Sequence, residues 1–315
     1  MEPKDILGFW GIKATGAAEQ IYRSAWDIDD TYILKNSADK NQLEKSVALS
    51  DLLLKQGISA PEYLRTPEGG AWVPVQDTGY VLMRKIRGHY CDPYKGDPFE
   101  NGVMLGGLVA KLHLAMQKIG EAFACYEADF MQELDGWMTD SLKENAVHVP
   151  PEILDYCRSF GSLYASLPRH LIHRDLHLGN MLFSDGAFSG YLDFDMSQKN
   201  VRLHDVCYLG LTMLVDNDQD KSRFDIWRTI FRGVLTGYQE TFALTDNEIR
   251  AIPYMFVLIE LIFAAFYAQT GQADTAAGCV GMTERLYRGR DRLVCLPDCS
   301  GSGGRDTKPV RRNLD

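Results

Sequence analysis

The sequence predicts an α+β fold of two lobes, a small antiparallel sheet carrying one helix and then a larger, mainly helical lobe. Three observations predict it. At 315 residues the chain exceeds the roughly 100–200 residues of an average domain. Strand-like runs crowd residues 12–86 around a single helix-period segment. Past residue 88, apolar residues recur at helical spacing over segments too long for strands. The expected organisation is therefore 1–88, 89–299 and a tail at 300–315.

Residues 12–33 hold β-branched and aromatic side chains around Gly16, and residues 31–35 alternate like a half-buried strand that ends on Lys35, opposite in direction to Leu34. In 41–56, Leu43, Val47, Leu49, Leu53 and Leu54 fall near helical spacing, Ser37 or Asp39 can cap the start, and Gly57 suits the C′ position. Strands follow at 71–75 and 80–86. Helices are expected at 101–119, 121–145, 151–167, 202–215, 221–242 and 246–269. Only 171–194 breaks that rule, with short β-like runs at 171–173, 180–183 and 190–193 separated by polar turns. It reads as a hairpin-like insert, and no internal repeat is present.

Composition narrows the class. Hydrophobic residues at 45% and charged residues at 24% are ordinary for a globular chain, which excludes disorder and coiled-coil arrays. The balance of 33 Lys+Arg against 43 Asp+Glu gives −10, a charge that repels a phosphate backbone, so a nucleic-acid partner is not expected. Seven scattered cysteines (91, 125, 157, 207, 279, 295 and 299) without a CxxC pair read as reduced thiols. The apolar run 6–10 is too short for a signal-peptide core, so a cytoplasmic location is expected. Residues 254–268 are shorter than a bilayer span and carry Glu260, which predicts a buried helix and no membrane. The tail from Ser300, glycine-rich and then basic, has almost nothing to bury and is expected to be disordered.

The chemistry gathers in the insert. It reads His173-Arg-Asp-Leu-His-Leu-Gly-Asn180 and then Asp193-Phe-Asp195, matching the kinase catalytic loop H-R-D-L-x-x-x-N with an Asp-Phe pair beyond it. Phosphoryl transfer needs a carboxylate beside the attacking hydroxyl and oxygen ligands for the Mg²⁺ ions that bridge the phosphates of ATP. Asp175 fits the first role, Asn180 and Asp193 the second. The plainer alternative makes all three ordinary turn and strand-end residues. The other half of such a site is present too: Lys35 on a strand, for the phosphates, with Glu44 on the following helix as its partner. Gly16 lies where a loop would cover the phosphates, although neither G-x-G-x-x-G nor a Walker P-loop occurs. Met83, Arg84 and Ile86, at the end of the last small-lobe strand, stand where an adenine would meet hinge backbone groups. Asp129, Glu133, Asp135 and Asp140 offer an acidic wall for a cationic acceptor, or simply a solvated helix face.

These residues, together with the run Leu105-Gly-Gly-Leu-Val-Ala-Lys-Leu-His113 and Arg202-Leu-His-Asp-Val-Cys-Tyr208, resemble the aminoglycoside phosphotransferase/choline kinase superfamily over about residues 12–269. The resemblance implies a protein-kinase-like two-lobed fold and transfer of the γ-phosphoryl group of ATP, with Mg²⁺, to a hydroxyl of a small molecule. It implies Asp175 as catalytic base, Asn180 and Asp193 as metal ligands, and Lys35 as the phosphate contact. Asp195 stands where the protein-kinase motif has Gly, no Ala-Pro-Glu occurs, and few residues separate Asp195 from the next helix. That leaves no room for a protein-substrate activation segment. Asp205 is expected either to accept hydrogen bonds from the catalytic-loop backbone or to be a surface carboxylate, His113 to be a packing histidine and His177 an orienting one. An amino-sugar or amino-alcohol acceptor is expected first, with a homoserine- or methylthioribose-type metabolite as the alternative. A nucleotide-binding pseudokinase is the reading from a different class.

Overall fold

The computed structural model describes residues 2–13, 15–215 and 221–293. The expectations for the tail at 300–315 and for Cys295 and Cys299 lie outside the described residues.

The chain opens with a short helix α1 (Pro3–Ile6) that runs on as a 3₁₀ turn to Trp10. Strands β1 (Ala18–Tyr22), β2 (Ala25–Ile28) and β3 (Tyr32–Ser37) follow, then helix α2 (Lys40–Lys55), then β4 (Val73–Val75) and β5 (Thr78–Arg84). The five strands form one antiparallel sheet in the order β1-β2-β3-β5-β4. Period-two alternation decides what each face buries. Leu34 lies opposite Leu82, and both pack against Ile6, Leu7 and Trp10. That apolar N-terminal run is therefore a cover for one sheet face. Lys35 lies opposite Val81, on the other face, where Val81 and Met83 pack against Leu43 and Val47 of α2. Helix α2 begins as expected, with the Asp39 carboxylate accepting the Gln42 amide at 3.0 Å. It ends at Gly57, whose φ of +76° favours glycine.

After β5 the chain crosses to β6 (His89–Tyr90), which pairs with β8 (Met181–Ser184) of the second lobe. The crossing requires Gly88: its φ is +147°, and a Cβ there would lie 2.7 Å from the Phe183 carbonyl oxygen. Helix α3 (Pro98–Gly120) comes next, matching the expected helix. The single helix expected at 121–145 is instead an irregular stretch, then α4 (Phe130–Glu133), a π turn (Leu134–Met138) and α5 (Thr139–Glu144). Asp129 restarts the helix by accepting the Met131 and Gln132 amides, and Gly136 breaks it with non-helical dihedrals. Helices α6 (Pro151–Ser159) and α7 (Gly161–Tyr164) divide the next expected segment.

The insert is as expected in kind: β7 (Arg169–Ile172) pairs with β10 (Gln198–Val201), and between them β8 and β9 (Ala187–Tyr191) form a hairpin. Helices α8 (Leu203–Val215), α9 (Lys221–Thr241) and α10 (Asp246–Gln269) follow the expected boundaries closely, and α11 (Ala273–Gly289) adds a helix that the sequence did not suggest. Its many small residues dilute the apolar pattern. Helices α3 and α9 cross at backbone contact, because Gly102 and Gly106 face Gly233 and Gly237; a Cβ on Gly106 would lie 2.0 Å from the Val234 carbonyl oxygen.

By length and composition α10 could cross a membrane, but 72% of its most apolar window is buried inside the fold. It holds two buried acids: Glu248, paired with Arg202 at 2.7 Å, and Glu260, 4% exposed, within the apolar stretch. Burial raises the Glu260 carboxyl pKa from 4.5 to about 7, against the opposing pull of Cys279 and Arg285. An acid whose folded pKa lies above its unfolded value is penalised in its charged form, so this residue costs stability increasingly as pH rises from 4.5 towards about 7. Glu260→Gln should therefore be more stable than wild type at pH 8, by about 3 kcal/mol at 1.36 kcal/mol per pH unit, and should gain almost nothing at pH 4.5. Urea unfolding at the two pH values measures this, and equal gains at both would refute it.

Candidate active site

The catalytic loop is fixed before any substrate arrives. Strand β7 ends at Ile172, and the next two backbone amides, of His173 and Arg174, donate to the Asp205 carboxylate at 2.8 and 2.9 Å. Asp205 stands in the first turn of α8 and is fully buried. It also accepts from His113 of α3 at 3.1 Å and from His204 at 3.2 Å. Burial alone would raise its pKa, but the hydrogen bonds from His113 and His204 outweigh that and hold it far below the usual carboxylate range. The clamp holds Arg174 at a φ of +75°. Its guanidinium lies over the Phe130 ring at 4.8 Å and meets His204 Nε2 at 3.0 Å, so that nitrogen accepts and the ring is neutral. Consistent with this, burial lowers the His204 pKa to about 4.

Asp175 emerges from this clamp half-buried. Its Oδ1 accepts the Tyr208 hydroxyl at 3.1 Å, and the Asn180 amide donates to its carbonyl at 2.8 Å and to its Oδ2 at 3.1 Å. His177 Nε2 stands 3.7 Å from the same carboxylate. Burial would raise the pKa of this acid, yet His177, His173 and the Tyr208 hydroxyl more than compensate and keep it below the ordinary 3.8. It is thus a charged acceptor at neutral pH, oriented on one oxygen by Tyr208 and on the other by Asn180. Tyr208 in turn stacks on Phe263 of α10 at 5.6 Å.

Across the cleft, Lys35 Nζ meets Asp193 at 2.9 Å and Asp195 at 2.6 Å. Asp193 adopts a φ of +55°, a conformation that a non-glycine residue holds only when its surroundings dictate it. Asn180 joins the two groups: its side chain bonds Asp175, and its carbonyl accepts the amide of Leu192, next to Asp193, at 2.9 Å.

Two expectations are corrected here. Glu44 does not reach Lys35: it is exposed and accepts the Trp72 indole N–H at 2.9 Å. Helical phase is the reason, since at about 100° per residue Gln42 and Ser46 share a face turned away from Glu44. It is Ser46 and Gln42 that touch the Asp195 segment, at 2.9 and 3.3 Å. Gly16 does not lie over the phosphates either. It precedes β1, where its amide donates to Asp29 at 2.8 Å, at the far end of the β1–β2 hairpin from Lys35. The turn beside Lys35 is Arg23-Ser24, whose Ser24 carbonyl accepts the Asn36 amide at 2.9 Å.

The acidic wall also dissolves into separate roles. Asp129 caps α4, Asp135 pairs with Arg158 on the outer surface at 3.1 Å, and Asp140 is exposed. Only Glu133 faces the catalytic loop, 3.9 Å from Arg174. Met83 is buried in the sheet, Arg84 pairs with Glu62 at 3.1 Å, and Ile86 is half-buried in the crossing segment. The Arg84 and Lys85 amides are bound by Glu62 and Thr31, whereas among the described residues the Ile86 amide has no backbone partner.

A small sheet-bearing lobe with a strand lysine, set against a helical lobe with a clamped His-Arg-Asp loop and an Asp-Phe-Asp turn, defines a kinase-like phosphotransferase. Comparison with known proteins agrees. The model of the phosphotransferase enzyme family matches residues 14–241, and the chain belongs to that family. It is a small-molecule kinase. It is 25% identical over 240 residues to a homoserine kinase of Gluconacetobacter diazotrophicus, covering 71% of this chain and 68% of that one. In fold it is similar to a microcompartment-associated aminopropanol kinase (TM-score 0.65, 17% identity, 92% and 98% of the two chains). An amicoumacin kinase superposes comparably (TM-score 0.64, 17% identity, 89% of each).

Proposed function

We propose that the enzyme transfers the γ-phosphoryl group of ATP to the hydroxyl of a small amino-alcohol, with homoserine the first acceptor to try. The observation that carries this reading is the Asp175 unit: a charged carboxylate fixed on both oxygens and joined through Asn180, whose carbonyl accepts the Leu192 amide at 2.9 Å, to the turn where Asp193 meets Lys35. Asp175 would accept the proton of the attacking hydroxyl, and Lys35 would hold the α/β-phosphates. Residues 1–88 would form the nucleotide lobe, with Met83, Arg84 and Ile86 at the adenine and the Arg23-Ser24 turn over the phosphates, and 89–299 the acceptor lobe. The amino-alcohol class rests on the homoserine kinases among the relatives and on the aminopropanol kinase among the similar folds.

Asn180 and Asp193 fit Mg²⁺. Both offer hard oxygen donors, and among the described residues no cluster of three or more His, Cys, Asp or Glu could cage a metal unaided. Such a sparse set suits an ion that takes its remaining ligands from phosphates and water. Bound there, Mg²⁺ would neutralise charge on the phosphate oxygens.

A screen of small hydroxyl compounds with ATP and Mg²⁺, homoserine and amino-sugars among them, tests the acceptor, and phosphorylation of amino-sugars alone would overturn the amino-alcohol assignment. Asp193→Ala tests the metal role. The extra thermal stabilisation that Mg²⁺ adds to ATP, worth up to about 2.7 kcal/mol for a ligand at 100 times its Kd, should vanish in the variant. Equal shifts in variant and wild type would leave Asp193 without that role.

A further inference from the structure

With Glu44 turned away, Lys35 needs another anchor, because a flexible ammonium stem held by nothing samples many rotamers. Its two carboxylate partners are not equivalent. Asp193 is 42% exposed and is the acid that would turn to a metal. Asp195 is 15% exposed and bridges: Oδ2 meets Lys35 at 2.6 Å, while Oδ1 accepts the Ser46 hydroxyl at 2.9 Å. Its main-chain carbonyl accepts the Gln42 side-chain amide at 3.3 Å. Ser46 is buried, 3% exposed, and its single proton has two acceptors in reach, the Gln42 carbonyl at 3.0 Å and the Asp195 carboxylate at 2.9 Å. The charged oxygen is the stronger acceptor. A cavity of about 180 Å³, lined by Gln42, Lys45, Ser46, Phe194 and Asp195 among others, lies beside this contact.

We infer that Ser46 is a positioning residue of the nucleotide site: through Asp195 it holds the Lys35 ammonium in place for the phosphates. From α2 it does with a hydroxyl and an intervening carboxylate what a glutamate on that helix would do directly. Ser46 acts through Lys35 and touches no substrate. The inference rests on the phosphotransfer reading above, in which Lys35 binds the nucleotide.

The test is calorimetric titration of wild type, Ser46→Ala and Ser46→Thr with a non-hydrolysable ATP analogue, in Mg²⁺ and in EDTA, alongside kcat and both KM values. Ser46→Ala should weaken analogue binding about tenfold in both conditions, the size expected for losing a hydrogen bond to a charged group. The ATP KM should rise with it while the acceptor KM stays unchanged, and Ser46→Thr, which keeps the hydroxyl, should restore most of the affinity. Ser50→Ala is the control, a buried serine of the same helix that donates to the Pro61 carbonyl at 2.6 Å: it should lower Tm without changing the analogue Kd. An unchanged Kd in Ser46→Ala overturns the inference. So does weakening confined to Mg²⁺, which would make Asp195 a metal ligand and nothing more. Should Ser46→Ala fail to fold, Gln42→Ala, at a half-exposed side chain, takes its place with a weakening of about threefold, and no change there overturns the inference equally. A wild type that binds the analogue in neither condition overturns the phosphotransfer reading itself and the inference with it.

Discussion

Asp175→Asn should lose about 10²–10⁴-fold in kcat while binding ATP as wild type does. The substitution keeps the shape of the side chain, and an amide oxygen can still accept the Tyr208 hydroxyl, which lies 3.1 Å from Oδ1. What disappears is the negative charge that, in the proposed role, would draw the acceptor proton. The native carboxyl sits below its ordinary 3.8, so at neutral pH the enzyme already holds it fully ionised, and the loss should be nearly constant across pH 6–8. In the proposed arrangement the nucleotide contacts fall to Lys35 and the small lobe, which is why affinity for ATP should survive. Stopped-assay kinetics with the best acceptor, paired with ATP-analogue calorimetry, separates the two quantities. Turnover within a few-fold of wild type would remove Asp175 from its assigned role.

What the sequence made legible follows from where physical constraints are local. The Asp175 loop and the Asp193 turn were readable because each role needs a fixed residue type at a fixed offset along one stretch of chain. Strand β3 and helix α2 were readable from periodicity, and the Asp39 cap from its chemistry. The partners of Lys35, Asp193 and Asp195, were not, because they lie more than a hundred residues away, and which α2 residue meets them depends on the rotational phase of that helix. Residue type favoured Glu44; phase put Ser46 on Asp195. Gly16 failed for a similar reason, since a glycine signals a bend without saying at which end of a hairpin it falls. Tyr208 was visible in the motif yet carried no role until the fold placed its hydroxyl on Asp175. The acidic segment at 129–140 looked like one charged face only while it was taken for one continuous helix. Once Asp129 caps a new turn and Gly136 bends the chain, its carboxylates point to separate partners.

Asp205→Asn should show how much of the active site is held from beneath. Four donors converge on this carboxylate, the Arg174 amide and His204 on Oδ1, the His173 amide and His113 on Oδ2. Asparagine offers one accepting oxygen and one NH₂ group, so whichever way it lies, two donors face another donor in a site fully removed from water. Each buried donor left unsatisfied costs about 1–3 kcal/mol, which places the loss of stability at about 2–6 kcal/mol at pH 7. Catalysis should fall as well, because Arg174 is held at a φ of +75° by the same carboxylate and Asp175 is the next residue. The pH dependence identifies the cause. The folded pKa of Asp205 lies below the ordinary 3.8, so its contribution is complete above that value and is lost as pH falls towards the folded pKa. Wild type and variant should therefore differ most near neutral pH and converge as the solution is acidified below about pH 4. Urea unfolding of both proteins from pH 7 to pH 3 measures the convergence. A constant difference across that range would mean that the charge of Asp205 contributes nothing and that shape alone holds the loop.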